Sequence, residues 1–333
     1  MKLFFIVGTG RCGTQMLRNI LRCWGDVRVL PETHFIVPLF KKYGKNEISV
    51  TDFLEVVDNI YSARGHRFVE GILLDGGLLA SEYKASFEQY VRENQISGNI
   101  RDFTEAFFKF VYGGEFIFGD KTPHYGIHLD VIKELWPEAK VIHIYRNGFD
   151  VAKSMKNHIG FRKLIAKGIP PEQIDEYMYG DDFSKDCHSE ISSDQALHYW
   201  KDAIEKTNES IEKYGENVIS VKYEDLVFCP TQEIKRIAQY LEIHNQVNCL
   251  KKAICIPRPF PEKKQANAAN NLLLDSKVDF VNETLNKYGY PYEFSRSRGV
   301  LGWCAELYRG RYSYFQFFKE RLKGYARLLK RFA

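Results

Sequence analysis

The stretch MKLFFIVGTGRCGTQML, residues 1–17, decides the fold of this chain. Lys2–Val7 is an almost unbroken apolar run, the pattern of a strand buried on both faces of a parallel sheet. From Thr14 to Trp24 the apolar residues Met16, Leu17, Ile20, Leu21 and Trp24 fall at helical spacing. Between the two, glycines let the backbone approach a phosphate, and a helix starting just behind them points unpaired N–H groups at the anion. A Walker-type loop would carry Lys-Ser/Thr after Gly13, where this chain has Thr14-Gln15. Without the lysine a β/γ-phosphate contact is lost, and Gln15 is a poor magnesium ligand. Arg11 supplies a permanently charged fork instead. Taken alone, the stretch is either an anion cradle or a tight strand–helix turn.

Working outward, a short strand Val27–Leu30 ends at Pro31-Glu32-Thr33-His34-Phe35, and residues 37–112 mix aromatic and charged helical segments. Phe116–Phe118 leads into Gly119-Asp120-Lys121-Thr122-Pro123-His124-Tyr125. WPEAKVIHIYRNGFDVAKSM, residues 136–155, predicts a strand at Val141–Tyr145, a turn at Arg146-Asn147-Gly148 and a helix from Phe149. A polar stretch, 157–193, follows. Then come a helix (Asp194–Tyr214), a strand (Val218–Lys222), a helix from Pro230 and a helical segment at Leu272–Tyr288. Strands alternating with helices predict an α/β fold in three layers, with a central parallel sheet and active residues at strand C-termini. Arg146 leaves such a strand end, and Ser154 lies on the next helix, sharing a face with Asp150. Arg146 and Ser154 suit a second phosphate, although an ion pair of Arg146 with Asp150 explains the arginine equally well.

The 333 residues carry a net charge of +4, unevenly spread. Residues 295–333 hold ten Lys/Arg against Glu306 and Glu320, a local charge of +8, so residues 1–294 sum to −4. The seven cysteines (12, 23, 187, 229, 249, 255 and 304) form no CxxC pair, which points to free thiols in a reducing compartment and to no structural metal. LFFIV is too short for a secretory core and no 18-residue apolar run occurs, so a cytoplasmic protein is expected.

Together the two phosphate motifs resemble the sulfotransferases that use 3′-phosphoadenosine-5′-phosphosulfate (PAPS). Gly8–Leu17 looks like the family's 5′-phosphosulfate loop, and Arg146 with Ser154 like its 3′-phosphate pair. Gly119–Pro123, Trp136–Lys140, Tyr199-Trp200 and Tyr223–Leu226 follow in family order. Arg11 in the loop sorts the chain with the tyrosylprotein and bacterial carbohydrate or lipid branch rather than the cytosolic phenol and steroid branch. The late Arg-Lys-Gly loop of that second branch is missing. The resemblance implies a P-loop-like sulfotransferase domain over 1–294, with segments 37–118 and 157–193 building the acceptor site. It implies PAPS as co-substrate, no metal, and a carbohydrate, lipid or other metabolite as acceptor.

It further implies that Arg11, Cys12, Gly13, Thr14, Gln15, Arg146, Ser154, Tyr223, Lys263 and Lys264 bind the nucleotide. Sulfuryl transfer to a hydroxyl needs a base, and cations around the leaving group. Glu32 is the candidate base and His34 its rival; Arg11 and Lys121 are the candidate cations. Glu32 could instead simply cap or pair with Arg11, and His34 could be a solvated loop residue. A P-loop kinase or NTPase, and an inactive nucleotide-binding protein, stay open beside this reading. Read as a helix from Tyr312, the basic tail puts Phe315, Phe318, Leu322, Tyr325 and Leu329 on one stripe, which suits peripheral contact with an anionic membrane. A helix folded back on the domain or an oligomer contact fits as well; nucleic acid does not, because the body is slightly acidic and carries no such motif.

Overall fold

Five strands, β1 (Lys2–Val7), β2 (Val27–Leu30), β3 (Ile117–Asp120), β4 (Lys140–Tyr145) and β5 (Val218–Lys222), pair in parallel in the order β2-β3-β1-β4-β5. The computed structural model describes residues 2–62, 72–73, 76–78, 81–180, 190–214, 217–244, 246–257 and 279–290. Lys263, Lys264, Cys187, Cys304 and the 295–333 tail lie outside the described residues.

Successive side chains of β1 point to opposite faces. Phe4 and Ile6 join Leu17, Ile20, Trp24, Ile142 and Trp200 in one core, while Leu3, Phe5 and Val7 join Phe35, Phe53, Phe107 and Trp136 in the other. Two cores on one sheet make three layers, as the sequence predicts. Phe53 has the rings of Phe35, Phe87, Phe103 and Phe107 within 6.0 Å, so much of the aromatic content of 37–112 fills the second core.

Because every strand runs the same way, the residues after β1 to β5 (Gly8, Pro31, Lys121, Arg146 and Tyr223) gather at one edge. Crossover helices follow the tips of β1 and β4: Thr14–Leu21 and Gly148–Lys156. The first ends one turn before the predicted Trp24, because Cys23 and Trp24 N–H groups tighten onto the carbonyls of Ile20 and Leu21. The described part of the 157–193 stretch is more ordered than its polarity suggests. It contains helices Ile159–Ala166 and Ile174–Gly180, whose Phe161, Leu164, Ile165 and Ile174 are buried beneath a charged exterior.

Candidate active site at the strand tips

The turn after β1 is held open by glycine. Gly10 (φ +75°) and Gly13 (φ +110°) occupy the left-handed region, and a Cβ at either would sit 2.4 Å from a ring, Phe161 at Gly10 and Tyr223 at Gly13. Arg11 also has positive φ (+55°), an uncommon conformation for a residue with a Cβ. The Gly8 N–H bonds Pro123 O at 2.9 Å, fastening the turn to the segment after β3. Cys12 is fully buried and burial pushes its thiol pKa up, so its side chain belongs to the core. Thr14 opens the helix and Gln15 donates to Asn19 Oδ1 at 3.1 Å.

The second motif stands directly alongside. Arg11 donates Nε–H to Ser154 Oγ at 3.1 Å. Arg146 Nη2 pairs with Asp150 Oδ2 at 2.9 Å, and its guanidinium lies 4.3 Å from the centre of the Tyr223 ring. Tyr223 thus touches both loops, Gly13 with its edge and Arg146 with its face. Asn147 caps the helix Gly148–Lys156 by accepting from the Phe149 N–H, while its own N–H donates to Glu224 Oε1 at 3.2 Å. Glu224 Oε2 accepts from the Tyr290 hydroxyl.

At the tips of β2 and β3, across β1 from the Arg146/Ser154 pair, is a chain of charges. Glu32 Oε1 accepts from Lys121 Nζ at 2.6 Å, and Oε2 meets His34 Nε2 at 3.2 Å. On the far side of the ring, His34 Nδ1 meets Asp175 Oδ1 at 2.6 Å. Burial alone would push the Glu32 carboxyl up; the Lys121 ammonium and the His34 ring outweigh it and hold it well below the usual carboxylate range. Asp175 is likewise held low against burial by its bond to His34. Glu32 pairs with Lys121 and His34 rather than with Arg11, and His34 is buried rather than solvated. His158 links the two halves electrostatically. Burial and the Arg11 charge lower its pKa, and the Glu32 charge opposes them.

Beneath this chain, Asp120 accepts from Thr33 Oγ1 at 2.6 Å and Thr122 Oγ1 at 2.7 Å, while Tyr125 contacts Thr33 Oγ1 at 2.9 Å. These bonds hold the Glu32 loop on the tip of β3. His124, one residue before Tyr125, is 4% exposed and neither ring nitrogen has a hydrogen-bond partner among the described residues. Burial pushes its pKa down to about 4, leaving a neutral ring.

The structure therefore brings Arg11, Gly13, Arg146, Ser154 and Tyr223 together on one side, and Glu32, His34 and Lys121 on the other. Sequence reasoning missed Asp175, His158, Glu224 and the Thr33–Tyr125 bond. Among the described residues, no group of three or more His, Cys, Asp or Glu side chains is arranged to hold a metal ion. No helix among them is long and apolar enough to cross a membrane.

A parallel α/β sheet with a lysine-free glycine turn at its first strand tip and an Arg/Ser pair at the neighbouring tip has a P-loop-like architecture. The family model for the sulfotransferase family matches residues 4–246, and the chain belongs to that family. Nodulation protein NoeE of Sinorhizobium fredii is 23% identical over 181 residues, which cover 51% of this chain and 34% of NoeE. The match thus spans about a third of that relative's length. Among solved structures, the sulfotransferase domain of the curacin biosynthetic pathway aligns with a TM-score of 0.48 at 14% identity, covering 87% of this chain and 98% of that one. The sulfotransferase domain of the Synechococcus PCC 7002 olefin synthase aligns with a TM-score of 0.48 at 18% identity, covering 87% and 96%.

Proposed function

We propose that this sulfotransferase moves the sulfuryl group of PAPS onto a hydroxyl or amine of a carbohydrate, lipid or other metabolite by in-line displacement. The observation that carries the reading is the Arg11–Ser154 hydrogen bond at 3.1 Å, which joins the two anion-holding motifs across adjacent strand tips. The residues fit a doubly phosphorylated adenosine. Backbone N–H groups from Cys12 to Gln15, where the glycine turn meets the start of the helix Thr14–Leu21, receive the 5′-phosphate. Arg146 and Ser154 take the 3′-phosphate, with Tyr223 beside the nucleoside. Arg11 and Lys121 stabilise charge on the leaving group, and Glu32, ionised at neutral pH, accepts the acceptor's proton.

Adenosine 3′,5′-bisphosphate is expected to raise the melting temperature without magnesium, and ATP with magnesium is not. Transfer of label from [35S]PAPS to components of a pooled cell extract then identifies the acceptor. Protection by ATP with magnesium alone would make the chain a kinase or NTPase, and protection without transfer an inactive binding protein.

We read residues 295–333 as a separate basic extension that contacts anionic membrane, on the strength of its +8 charge and apolar stripe. Removing it should abolish co-sedimentation with phosphatidylserine vesicles and spare bisphosphate binding. Equal sedimentation with and without it rejects that contact.

A further inference from the structure

We propose that Tyr290 is a positioning residue for the nucleotide's 3′-phosphate: acting through Glu224, it sets the Arg146–Asn147 peptide and so aims Arg146 at the anion. This deepens the sulfotransferase reading and rests on it.

Arg146 lies in the turn between β4 and the helix Gly148–Lys156. Its side chain has fixed neighbours: Asp150 Oδ2 lies 2.9 Å from Nη2, and the centre of the Tyr223 ring lies 4.3 Å from the guanidinium carbon. Neither contact fixes the backbone from which that side chain leaves. The Asn147 N–H does so, by donating to Glu224 Oε1 at 3.2 Å. Asn147 Oδ1 also accepts from the Phe149 N–H at 2.9 Å, and so opens the helix that carries Ser154. One carboxylate oxygen thus orients both halves of the Arg146/Ser154 pair.

A glutamate beside an anion site needs restraint of its own. Glu224 Oε2 accepts from the Tyr290 hydroxyl. Burial and the Glu224 charge push the Tyr290 phenol well above its ordinary value, so the hydroxyl keeps its proton and donates. The ring is seated in turn. Lys222 Nζ lies 4.1 Å from its centre, and the Tyr145 ring meets it edge-on with centroids 6.4 Å apart. Tyr145 ends β4 and Lys222 ends β5, the two strands whose tips carry Arg146 and Tyr223. The competing partner for Glu224 Oε2 is Arg146, whose charge already lowers the carboxyl's pKa against the upward push of burial. Without the phenol, a half-buried carboxylate with one unmet oxygen turns to that guanidinium. Such a pair takes N–H groups that the phosphate needs. Tyr290 keeps Glu224 on the peptide and leaves Arg146 to the ligand. The 5′-phosphate belongs to the turn after β1, which the Tyr290–Glu224–Asn147 bonds do not include, so the two phosphates are separable in a binding experiment.

Tyr290→Phe removes the hydroxyl and keeps the ring on Lys222 and Tyr145. Calorimetric titration compares adenosine 3′,5′-bisphosphate with adenosine 5′-monophosphate, which lacks the 3′-phosphate. The variant should bind the bisphosphate ~3–10-fold more weakly, and the monophosphate within about twofold of wild type. In an Arg146→Ala background the same change should move bisphosphate affinity by less than about twofold, because Tyr290 acts through Arg146. A merely structural role would weaken both nucleotides alike and persist in the Arg146→Ala background, and that result overturns the proposal. Unchanged bisphosphate affinity in Tyr290→Phe overturns it too. Should Tyr290→Phe fail to fold, the wild-type protein decides. NMR should show the Asn147 amide exchanging more slowly at saturation with the bisphosphate than with the monophosphate, and equal exchange overturns the proposal. A wild-type protein that binds the bisphosphate no more tightly than the monophosphate rejects the donor reading as well. A kept preference for the bisphosphate, unmoved in Tyr290→Phe, rejects the role of Tyr290 alone.

Discussion

Arg11 donates its Nε–H to Ser154 Oγ at 3.1 Å although 143 residues separate them in the chain. The bond exists because β1 and β4 are neighbours in the sheet, so the turn after one faces the helix after the other. Removing either partner should therefore affect nucleotide handling rather than folding. Arg11→Ala is expected to lower transfer by ~10²–10³-fold, with Arg11→Lys restoring little because lysine lacks the planar fork. Ser154→Ala should weaken adenosine 3′,5′-bisphosphate by roughly 10–100-fold, the loss of one hydrogen bond to a charged group. Calorimetric titration of the bisphosphate checks this, and unchanged affinity in Ser154→Ala would contradict the assigned role.

The two left-handed glycines give a stability prediction. Gly10→Ala and Gly13→Ala each add a strained backbone and a clash with the Phe161 or Tyr223 ring. Each should cost about 1–3 kcal/mol, seen as a lower midpoint in chemical denaturation. A midpoint equal to wild type would mean that the turn is looser than its geometry indicates.

Glu32→Gln removes the proton acceptor and should lower kcat by ~10²–10⁴-fold while leaving bisphosphate binding intact. Turnover within about threefold of wild type would remove Glu32 from the role of base.

Asp120 offers a pH signature independent of activity. Burial pushes its carboxyl up to about 7 despite hydrogen bonds from Thr33 and Thr122, whereas in the unfolded chain it titrates near the ordinary value of about 3.9. Between these values the native protein holds a proton that the unfolded chain has released. The contribution of Asp120 to stability therefore falls as pH rises from about 4 to about 7 and is constant above, a change on the order of 4 kcal/mol. Asp120→Asn should flatten that slope. Denaturation midpoints at three pH values across the window, compared between variant and wild type, measure it directly.

The parts of the site that were legible in the sequence are those whose physics is local. A continuous apolar strand, a glycine turn and a helical stripe identify the first strand–turn–helix unit, and the i, i+4 spacing of Arg146 and Asp150 announces their pairing. What stayed hidden depends on tertiary contact. Asp175 lies in a stretch whose charges masked two helices, and nothing near it in the chain suggests His34 as its partner. Burial of His34 is equally non-local, since the aromatic segment that covers its loop has no periodicity tying it to that face. Glu224 could have been found only by asking what holds the Asn147 N–H once Tyr223 is fixed at the tip of β5.

Glu224 also has a practical meaning for anyone trimming this chain. It grips the Asn147 backbone with one oxygen and the Tyr290 hydroxyl with the other, and Lys222 adds a bond to Gly289 O at 3.0 Å. Residues 288–290 therefore act as a clasp on the Arg146 turn. A fragment cut ahead of them would keep all five described strands yet leave the Arg146 turn without that clasp.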